Sequence, residues 1–506
     1  MNNNKKYALI SVYDKKNLKK ICETLTKYNI GLISTGSTRK EIKKNGFICD
    51  SVSNLTKFKE ILEGRVKTLN HNIHASILYN RKKQSHISTF NKLKFPIIDF
   101  VIVNLYPFER IIEETTNLKK CIEMIDIGGP ALLRSAAKNF ESVTAINNID
   151  DYENFIKNLE INKGKTSLLF RKKMAKKVFI TTYSYDSVIA NWFSNNSGIN
   201  LNGYNAIKLK YGENQNQKST FYHLLKDQSF FKSKIQGKEL GYNNILDINS
   251  GLDCINEFSD PTCVIIKHNN PCGISSNKSI NNAFKDALDS DKVSAFGGVV
   301  IINRIIDKKL ANLISKNFFE IIISTNYTKD AKSIFKKKPK LILIETSKLS
   351  KNNKNEITSV IGGYLIQEKN KKKIIKKDLF CMTNKKVNTN ILNDFVFALK
   401  VSKHVKSNAI VLVKNKKTIG IGAGQMSRID STKLAIMKAK SLNKKMDFVA
   451  ASDAFFPFTD NIKLLIKNKC KGIVQPSGSI NDHKIIKFAD NNNLPLYFTK
   501  YRLFKH

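Results

Sequence analysis

Nowhere in these 506 residues does an apolar run approach the roughly 20 residues that cross a bilayer. The N-terminus, Met1-Asn2-Asn3-Asn4-Lys5-Lys6, has no apolar stretch after its lysines, so it does not read as a secretory signal. The eight cysteines stand singly, with no Cys-x-x-Cys pair. That argues against structural zinc and a disulfide framework, and for a reducing, cytoplasmic compartment. Carboxylates are scarce: 42 Asp and Glu stand against 86 Lys and Arg, a net charge of +44. The charge invites a nucleic-acid reading, but concentration is what it lacks. The excess is mostly Lys, spread along the chain and interleaved with Asn, as in Lys369-Asn370-Lys371-Lys372-Lys373. A nucleic-acid face more often gathers Arg and aromatics on one element. The expectation is a diffuse attraction for anionic small molecules, screened by salt, with no specific nucleic-acid partner and no membrane. No internal sequence repeat is evident.

The length allows more than one domain and an ample core. Residues 8–12, 31–34, 97–105 and 143–146 read as strands, with helical periodicity over 16–28 and a short helix from Arg39. This is a parallel, doubly wound α/β pattern. A helical stretch follows to about Trp192, and Asn195-Asn196-Ser197-Gly198 reads as a linker. The expected division is therefore 1–199, with a core over about 1–150 and a helical connector, and 200–506. The second part offers strands at 264–266, 298–302, 320–323, 341–345, 409–413, 418–421, 448–451, 472–474 and 496–499, enough for two sheets. Residues 347–357 and 369–377 read as surface loops.

The most informative block is Ile265-Ile266-Lys267-His268-Asn269-Asn270-Pro271-Cys272-Gly273. A buried strand delivers a cation, an imidazole and two amides into a Pro/Gly turn. Histidine titrates near neutral pH and exchanges protons, and lysine stabilises charge on a carbonyl oxygen. Pro271-Cys272-Gly273 hints at a zinc-deaminase signature, but Ser275 stands where the second Cys is required, so no metal is expected. Cys272 reads as a small buried residue.

The first part carries five polar motifs. Thr35-Gly36-Ser37-Thr38 follows a strand and opens a helix, a place where backbone N–H groups cradle phosphate. Gly64-Arg65-Val66-Lys67-Thr68 adds cations, Asn104-Leu105-Tyr106-Pro107-Phe108 an amide and a phenol, and Asp126-Ile127-Gly128-Gly129-Pro130 a carboxylate. Lys138-Asn139 follows about one helix later. All five are expected at strand ends or turns of one domain, as a phosphate pocket with Lys, Asp and Tyr for proton transfer.

Together with Ser11-Val12-Tyr13-Asp14-Lys15, these motifs resemble the inosine monophosphate (IMP) cyclohydrolase domain. That domain is the N-terminal half of the phosphoribosylaminoimidazolecarboxamide formyltransferase / IMP cyclohydrolase family. The resemblance implies a methylglyoxal-synthase-like doubly wound fold. It places Tyr13, Asp14, Lys15, Thr35, Gly36, Ser37, Thr38, Arg65, Thr68, Asn104, Leu105 and Ile127 around the nucleotide. It makes Lys138 the proton-transfer residue, with Lys67, Tyr106 and Asp126 assisting ring closure.

The resemblance continues through Gly237-Lys238-Glu239-Leu240, Lys267 to Gly273, Ser294-Ala295-Phe296-Gly297-Gly298, Gly420 to Arg428, Ser452 to Phe458 and Gln475 to Ser479. These are similar to the transformylase half, which implies two cytidine-deaminase-like α/β subdomains without zinc. By the same resemblance His268 is the general base and Lys267 the transition-state stabiliser. Lys210, Tyr211, Gly297, Glu320, Asn408, Arg428 and Arg502 hold the ribonucleotide, and Phe455, Asp460, Ser479 and Ile480 bound the folate. The implied substrates are 5-aminoimidazole-4-carboxamide ribonucleotide (AICAR), its formylated product (FAICAR) and 10-formyltetrahydrofolate as co-substrate. The implied assembly is a homodimer. The family's Arg and His around Tyr211 are here Lys210 and Asn216, which loses a bidentate fork and a titratable ring. An enzyme retaining only the cyclohydrolase is therefore one alternative, and a basic nucleic-acid-binding protein, motivated by the charge, is the other.

Overall fold

The computed structural model describes residues 5–194, 203–224, 229–348, 355–441 and 447–506. The chain divides into two compact units, Met1–Asn202 and Gly203–His506. The linker expected at 195–198 lies outside the described residues, as do residues 349–354 of the first Lys/Asn-rich stretch.

Unit 1 is built on five parallel strands: β1 (Lys6–Val12), β2 (Gly31–Ser34), β3 (Cys49–Ser51), β4 (Ile97–Asn104) and β5 (Thr144–Ile146). Their order is β3-β2-β1-β4-β5. The interior residues of β1 and β4 are buried on both faces, which is why they read as unbroken apolar runs. The chain winds outward from β1 to β3 and returns to β4 on the other side. The carboxyl ends of β1 and β4 therefore flank the point where the winding reverses, the place where open α/β sheets bind ligands. The helix expected from Arg39 begins three residues earlier, as Gly36–Lys44, directly against β2. Helix Leu168–Phe193 is not an external connector: Met174 and Val178 are fully buried in the two core clusters of the sheet.

Unit 2 begins with a hairpin, β6 (Gly203–Lys208) and β7 (Thr220–Leu224). The first half of its main sheet comprises β8 (Lys234–Gln236), β9 (Thr262–Lys267), β10 (Asn270–Ser276), β11 (Val299–Ile302), β12 (Ile321–Ser324) and β13 (Ile342–Glu345). A second hairpin follows, β14 (Asn355–Val360) and β15 (Gly363–Glu368), and nearly all of its residues are exposed. The second half comprises β16 (Phe380–Cys381), β17 (Ile410–Lys414), β18 (Lys417–Gly422), β19 (Phe448–Ser452), β20 (Cys470–Pro476) and β21 (Leu496–Thr499).

The two sheets allowed by the strand count are in fact one sheet of 12 strands, ordered β16-β21-β20-β19-β17-β18-β10-β9-β11-β12-β13-β8. The seam is the antiparallel contact of β10 with β18, where Ser275 faces Lys417 and the Ile274 amide donates to Thr418 Oγ1 at 2.9 Å. Outward from that seam both halves repeat one pattern: antiparallel, antiparallel, parallel, parallel, antiparallel. The two α/β subdomains are these half-sheets, a repeat the sequence does not show.

Pro271, Cys272 and Gly273 do not form the expected turn. They lie inside β10, and the turn is the dipeptide before them, His268-Asn269, with φ of 52° and 61°. Two successive left-handed residues make the tight hairpin turn whose twist suits its strands. Proline is tolerated because the ladder slips register between Pro271 and Gly273. Gly273 is required there, since a methyl group would overlap the Ala287 carbonyl of the covering helix. In the second half Gly420 meets the Ala435 carbonyl in the same way. Gly420→Ala is expected to cost about 3 kcal/mol by forcing helix Arg428–Ser441 off the sheet. A lowered urea midpoint at unchanged slope would register it.

Among the described residues no helix is long and apolar enough to cross a membrane. All eight cysteines are free, and burial pushes the Cys272 thiol up to about 12.

Candidate functional sites

In unit 1 the winding-reversal point gathers most of the expected residues. Asn104, at the end of β4, accepts from the amides of Tyr13 and Asp14 at 2.6 and 3.0 Å and donates to the Asp14 carbonyl at 2.9 Å. One amide side chain thus fastens the loop that follows β1. Thr38 both accepts from the Val12 amide and donates to its carbonyl, at 3.1 and 3.0 Å. That holds the start of helix Gly36–Lys44 against the same strand end.

Beside this helix start lies a cavity of about 240 Å³ lined by Thr35, Gly36, Arg39, Lys43, Glu60 and Lys67, among others. Gly36, with φ of 47°, a conformation that favours glycine, begins the helix whose first turn lines the opening. Lys67 projects over it, tied to Glu60 at 3.1 Å. Free N–H groups, a helix N-terminus and a surplus of cations make a receptor for phosphate. The sequence reading missed Arg39, Lys43 and Glu60, which carry no signal of their own in so Lys-rich a chain.

Asp126 is held from two sides. The Gly129 amide donates to its Oδ1 at 2.7 Å, and the Tyr106 amide also donates to the carboxylate. Burial nevertheless pushes its carboxyl above the usual range, outweighing those two donors. The Asp126 amide donates to the Tyr185 hydroxyl, which in turn donates to the Met124 carbonyl, at 2.8 and 2.9 Å. Tyr185, from helix Leu168–Phe193, is thus a support that no local motif announces. Thr68 and Leu105 press against Gly128 and Gly129, where no side chain would fit. The rings of Tyr13 and Tyr106 meet edge to face with centroids 5.6 Å apart, both partly exposed. Lys15 reaches back to the Tyr13 carbonyl, Ile127 is exposed, and Arg65 pairs with Glu123 at the surface.

Lys138 is the exception, and the expectation that all five motifs share one site is corrected for it. It is the last residue of helix Gly128–Lys138, whose first turn is at Asp126. Ten residues of helix separate the two ends by about 15 Å. The helix runs down the sheet, so Lys138 stands at the end opposite the pocket.

In unit 2 the turn His268-Asn269 projects Lys267, His268 and Asn270 together. The Lys267 ammonium donates to the Phe296 carbonyl at 2.7 Å and, among the described residues, forms no ion pair. His268 is exposed and its imidazole holds no hydrogen bond among the described residues. Asn270 Oδ1 accepts from the Lys406 amide at 2.9 Å, joining this turn to the loop before β17. There Asn408 donates to the carbonyls of Gln425 and Met426 at 2.9 and 3.1 Å. Arg428 opens the next helix, with one edge on Asp453 at 2.8 Å and its Nε on Ser452 at 3.0 Å. Its guanidinium is therefore already engaged on one edge by the protein itself.

On the other flank Gly297 has φ of 72°, and Glu320 takes Lys238 at 2.9 Å and Asn244 at 3.3 Å. Lys210 lies 5.8 Å from the Tyr211 ring centre, and Asn243 donates to the Glu213 carbonyl just beyond, bringing that loop to the same helix start. Phe455 and Asp460 follow β19, and Ser479 and Ile480 follow β20; Asn481 bridges to the Pro457 carbonyl at 3.0 Å. Ile480 and Phe458 are largely exposed, an apolar rim at strand ends. Arg502 lies on the C-terminal segment, 4.7 Å from the Phe504 ring centre.

Two families match the chain: the AICARFT/IMPCHase bienzyme over residues 136–438 and the MGS-like domain over 17–131. The bifunctional purine biosynthesis protein PurH of Fusobacterium nucleatum is 43% identical, with 99% of this chain and 100% of that protein covered. The proteins of the same name from Caldicellulosiruptor bescii and Lactobacillus acidophilus are each 42% identical over the same shares.

Proposed function

We infer the chemistry of each unit from one premise: the chain belongs to the AICARFT/IMPCHase bienzyme family. It is a bifunctional enzyme of purine biosynthesis, a formyltransferase joined to an IMP cyclohydrolase. The observation that carries this is 43% identity over 99% of the chain, gathered on two units that each present a site at strand ends.

The proposal extends to residues. In unit 2 the exocyclic amine of AICAR attacks the formyl carbon of 10-formyltetrahydrofolate, and His268 takes the amine's proton. Lys267, which pairs with no carboxylate among the described residues, stabilises the oxyanion as the carbon becomes tetrahedral. The bond to N10 then breaks, tetrahydrofolate leaves with a proton, and FAICAR remains. Lys210, Tyr211, Gly297, Glu320, Asn408, Arg428 and Arg502 surround the ribonucleotide, and Phe455, Asp460, Ser479 and Ile480 the folate.

In unit 1 the phosphate of FAICAR sits on the Thr35–Thr38 turn under Lys67. The carboxamide nitrogen attacks the formyl carbon of the same molecule, and water is lost to give IMP. Holding both groups in register supplies much of the rate. Asp126, half-buried and raised, accepts the amide proton; Tyr106 and Lys67 stand beside the leaving oxygen. Lys138 is left out because of its place at the far end of its helix.

A cytoplasmic homodimer is part of the same proposal. The β14–β15 hairpin exposes Ile361, Tyr364 and Leu365, and an isolated two-stranded hairpin is marginal in water, so a second copy is its natural cover.

The test is product identification after incubating the purified protein with AICAR and 10-formyltetrahydrofolate. IMP is expected. If that pair gives nothing while added FAICAR still closes, only the cyclohydrolase is alive, as Lys210 and Asn216 would allow. If neither substrate turns over, the assignment fails.

A further inference from the structure

We propose that Asp247 is a positioning residue for formyl transfer, holding His268 in the left-handed conformation from which its imidazole faces the substrate. The inference rests on the assignment of Lys267 and His268 made above. Asp247 projects from helix Tyr242–Ile255, which lies against β9. Its Oδ1 accepts from the Asn269 amide at 2.7 Å, and the His268 amide also donates to the carboxylate. One turn further along, Ser250 Oγ donates to the Asn269 carbonyl at 3.0 Å. The helix therefore grips the turn by its amides and by a carbonyl.

The repeat within unit 2 supplies the control. Asp394, on helix Thr389–Ser402, accepts from the amides of Asn415 and Lys416 at 2.8 and 2.7 Å. Those two residues form the β17–β18 turn and are both left-handed, with φ of 53°. Asp247 and His268 are separated from Asp394 and Asn415 by the same interval, as Gly273 is from Gly420. One device thus occurs twice: a helix carboxylate capping a two-residue turn.

The chemistry differs. At the second turn Lys414, Lys416 and Lys417 are each paired, with Asp447, Asp260 and Asp286 at 3.8, 2.7 and 3.0 Å. At the first turn neither Lys267 nor His268 forms an ion pair among the described residues, and the charge acting on the imidazole is the clamp itself, Asp247. The clamp is common architecture, and only the first copy uses it to present reactive groups.

An L-residue other than Gly, Asn or Asp rarely holds positive φ unless its surroundings fix it, and such residues gather at active sites. Burial pushes the Asp247 carboxyl up, so the site keeps an ionisable group where hydration is poor, in exchange for fixing two amides. Without the acceptor those amides lose their partner, the turn relaxes, and the imidazole swings away. A misplacement of about 1 Å costs on the order of 100-fold in rate.

The test uses the full chain. Asp247→Ala is expected to lower kcat for formyl transfer about 100-fold, with KM for AICAR and the folate little changed and FAICAR closure intact. Asp247→Asn keeps an acceptor oxygen and should recover most of kcat. Asp394→Ala breaks the matching clamp and should lower the thermal midpoint as much as Asp247→Ala while sparing kcat. Wild-type kcat in Asp247→Ala would overturn the proposal, as would an equal loss of kcat in Asp394→Ala. Formyl transfer that survives His268→Ala would instead overturn the assignment on which it rests.

Discussion

His268→Ala is expected to lower formyl transfer by about 10²–10⁴-fold while leaving ring closure of added FAICAR at the parent rate. The magnitude is that of removing a general base from a reaction whose nucleophile, an aromatic amine, is weak until it loses a proton. The loss should fall on kcat, since nothing in the geometry makes the imidazole a binding anchor: it is exposed and unbonded among the described residues. Stability should change little, because the imidazole is exposed and holds no hydrogen bond among the described residues. His268→Asn separates the two contributions. Asparagine tolerates the left-handed turn, as Asn415 does at the second hairpin, but carries no proton. If His268→Asn is as slow as His268→Ala, the base is what matters; if Asn restores the rate, the role is conformational and the base lies elsewhere. Separate assays of AICAR and FAICAR consumption read both activities from one preparation.

Asp126→Asn is the second large effect, in the opposite activity. Ring closure should fall about 10²–10⁴-fold while formyl transfer persists and FAICAR accumulates. The same variant should be more stable than the parent near neutral pH. Burial raises the Asp126 carboxyl in the native state, so between the ordinary carboxylate range and that raised value the native chain binds more protons than the unfolded one. Stability attributable to this group therefore falls as pH rises through that window, and the ionised form at neutral pH is a net cost. Asparagine removes the charge and keeps an oxygen for the amides of Gly129 and Tyr106. The thermal midpoint of Asp126→Asn minus that of the parent should thus grow from acid toward neutral pH. A difference that is negative at neutral pH would mean the carboxylate stabilises the fold, and its catalytic assignment would lose its electrostatic support.

Reading the fold from sequence succeeded where burial is two-sided. The runs at 264–266, 298–302 and 496–499 sit in strands covered on both faces, so they are apolar without alternation. It failed where one residue decides a backbone. Pro271 and Gly273 look like turn formers, yet the turn is made by His268 and Asn269, and the glycine answers to a carbonyl on a helix some 14 residues away in the chain. Short edge strands such as β8 and β16 leave almost no periodic signal. The internal repeat stayed hidden because its copies share isolated residues, an Asp, a turn and a Gly at equal spacing, and no continuous motif. The sites follow the same rule. Residues at the ends of β1, β2, β4 and β9 could be listed from local motifs, whereas Tyr185, Glu60 and Asp247 reach their places only through tertiary packing. Lys138 shows the converse, a residue inside a recognisable motif that eleven residues of helix carry away from the pocket.

The doubled half-sheet also bears on how such a chain can change over generations. A turn held by its own helix carboxylate tolerates almost any side chains, because the clamp grips backbone and ignores what the residues carry. The Asn415-Lys416 turn is a second socket of the same build, and Lys414 precedes it as Lys267 precedes His268. The repeat gives this enzyme two turns gripped alike by backbone, one whose side chains are left open to a ligand and one whose lysines are held by carboxylates.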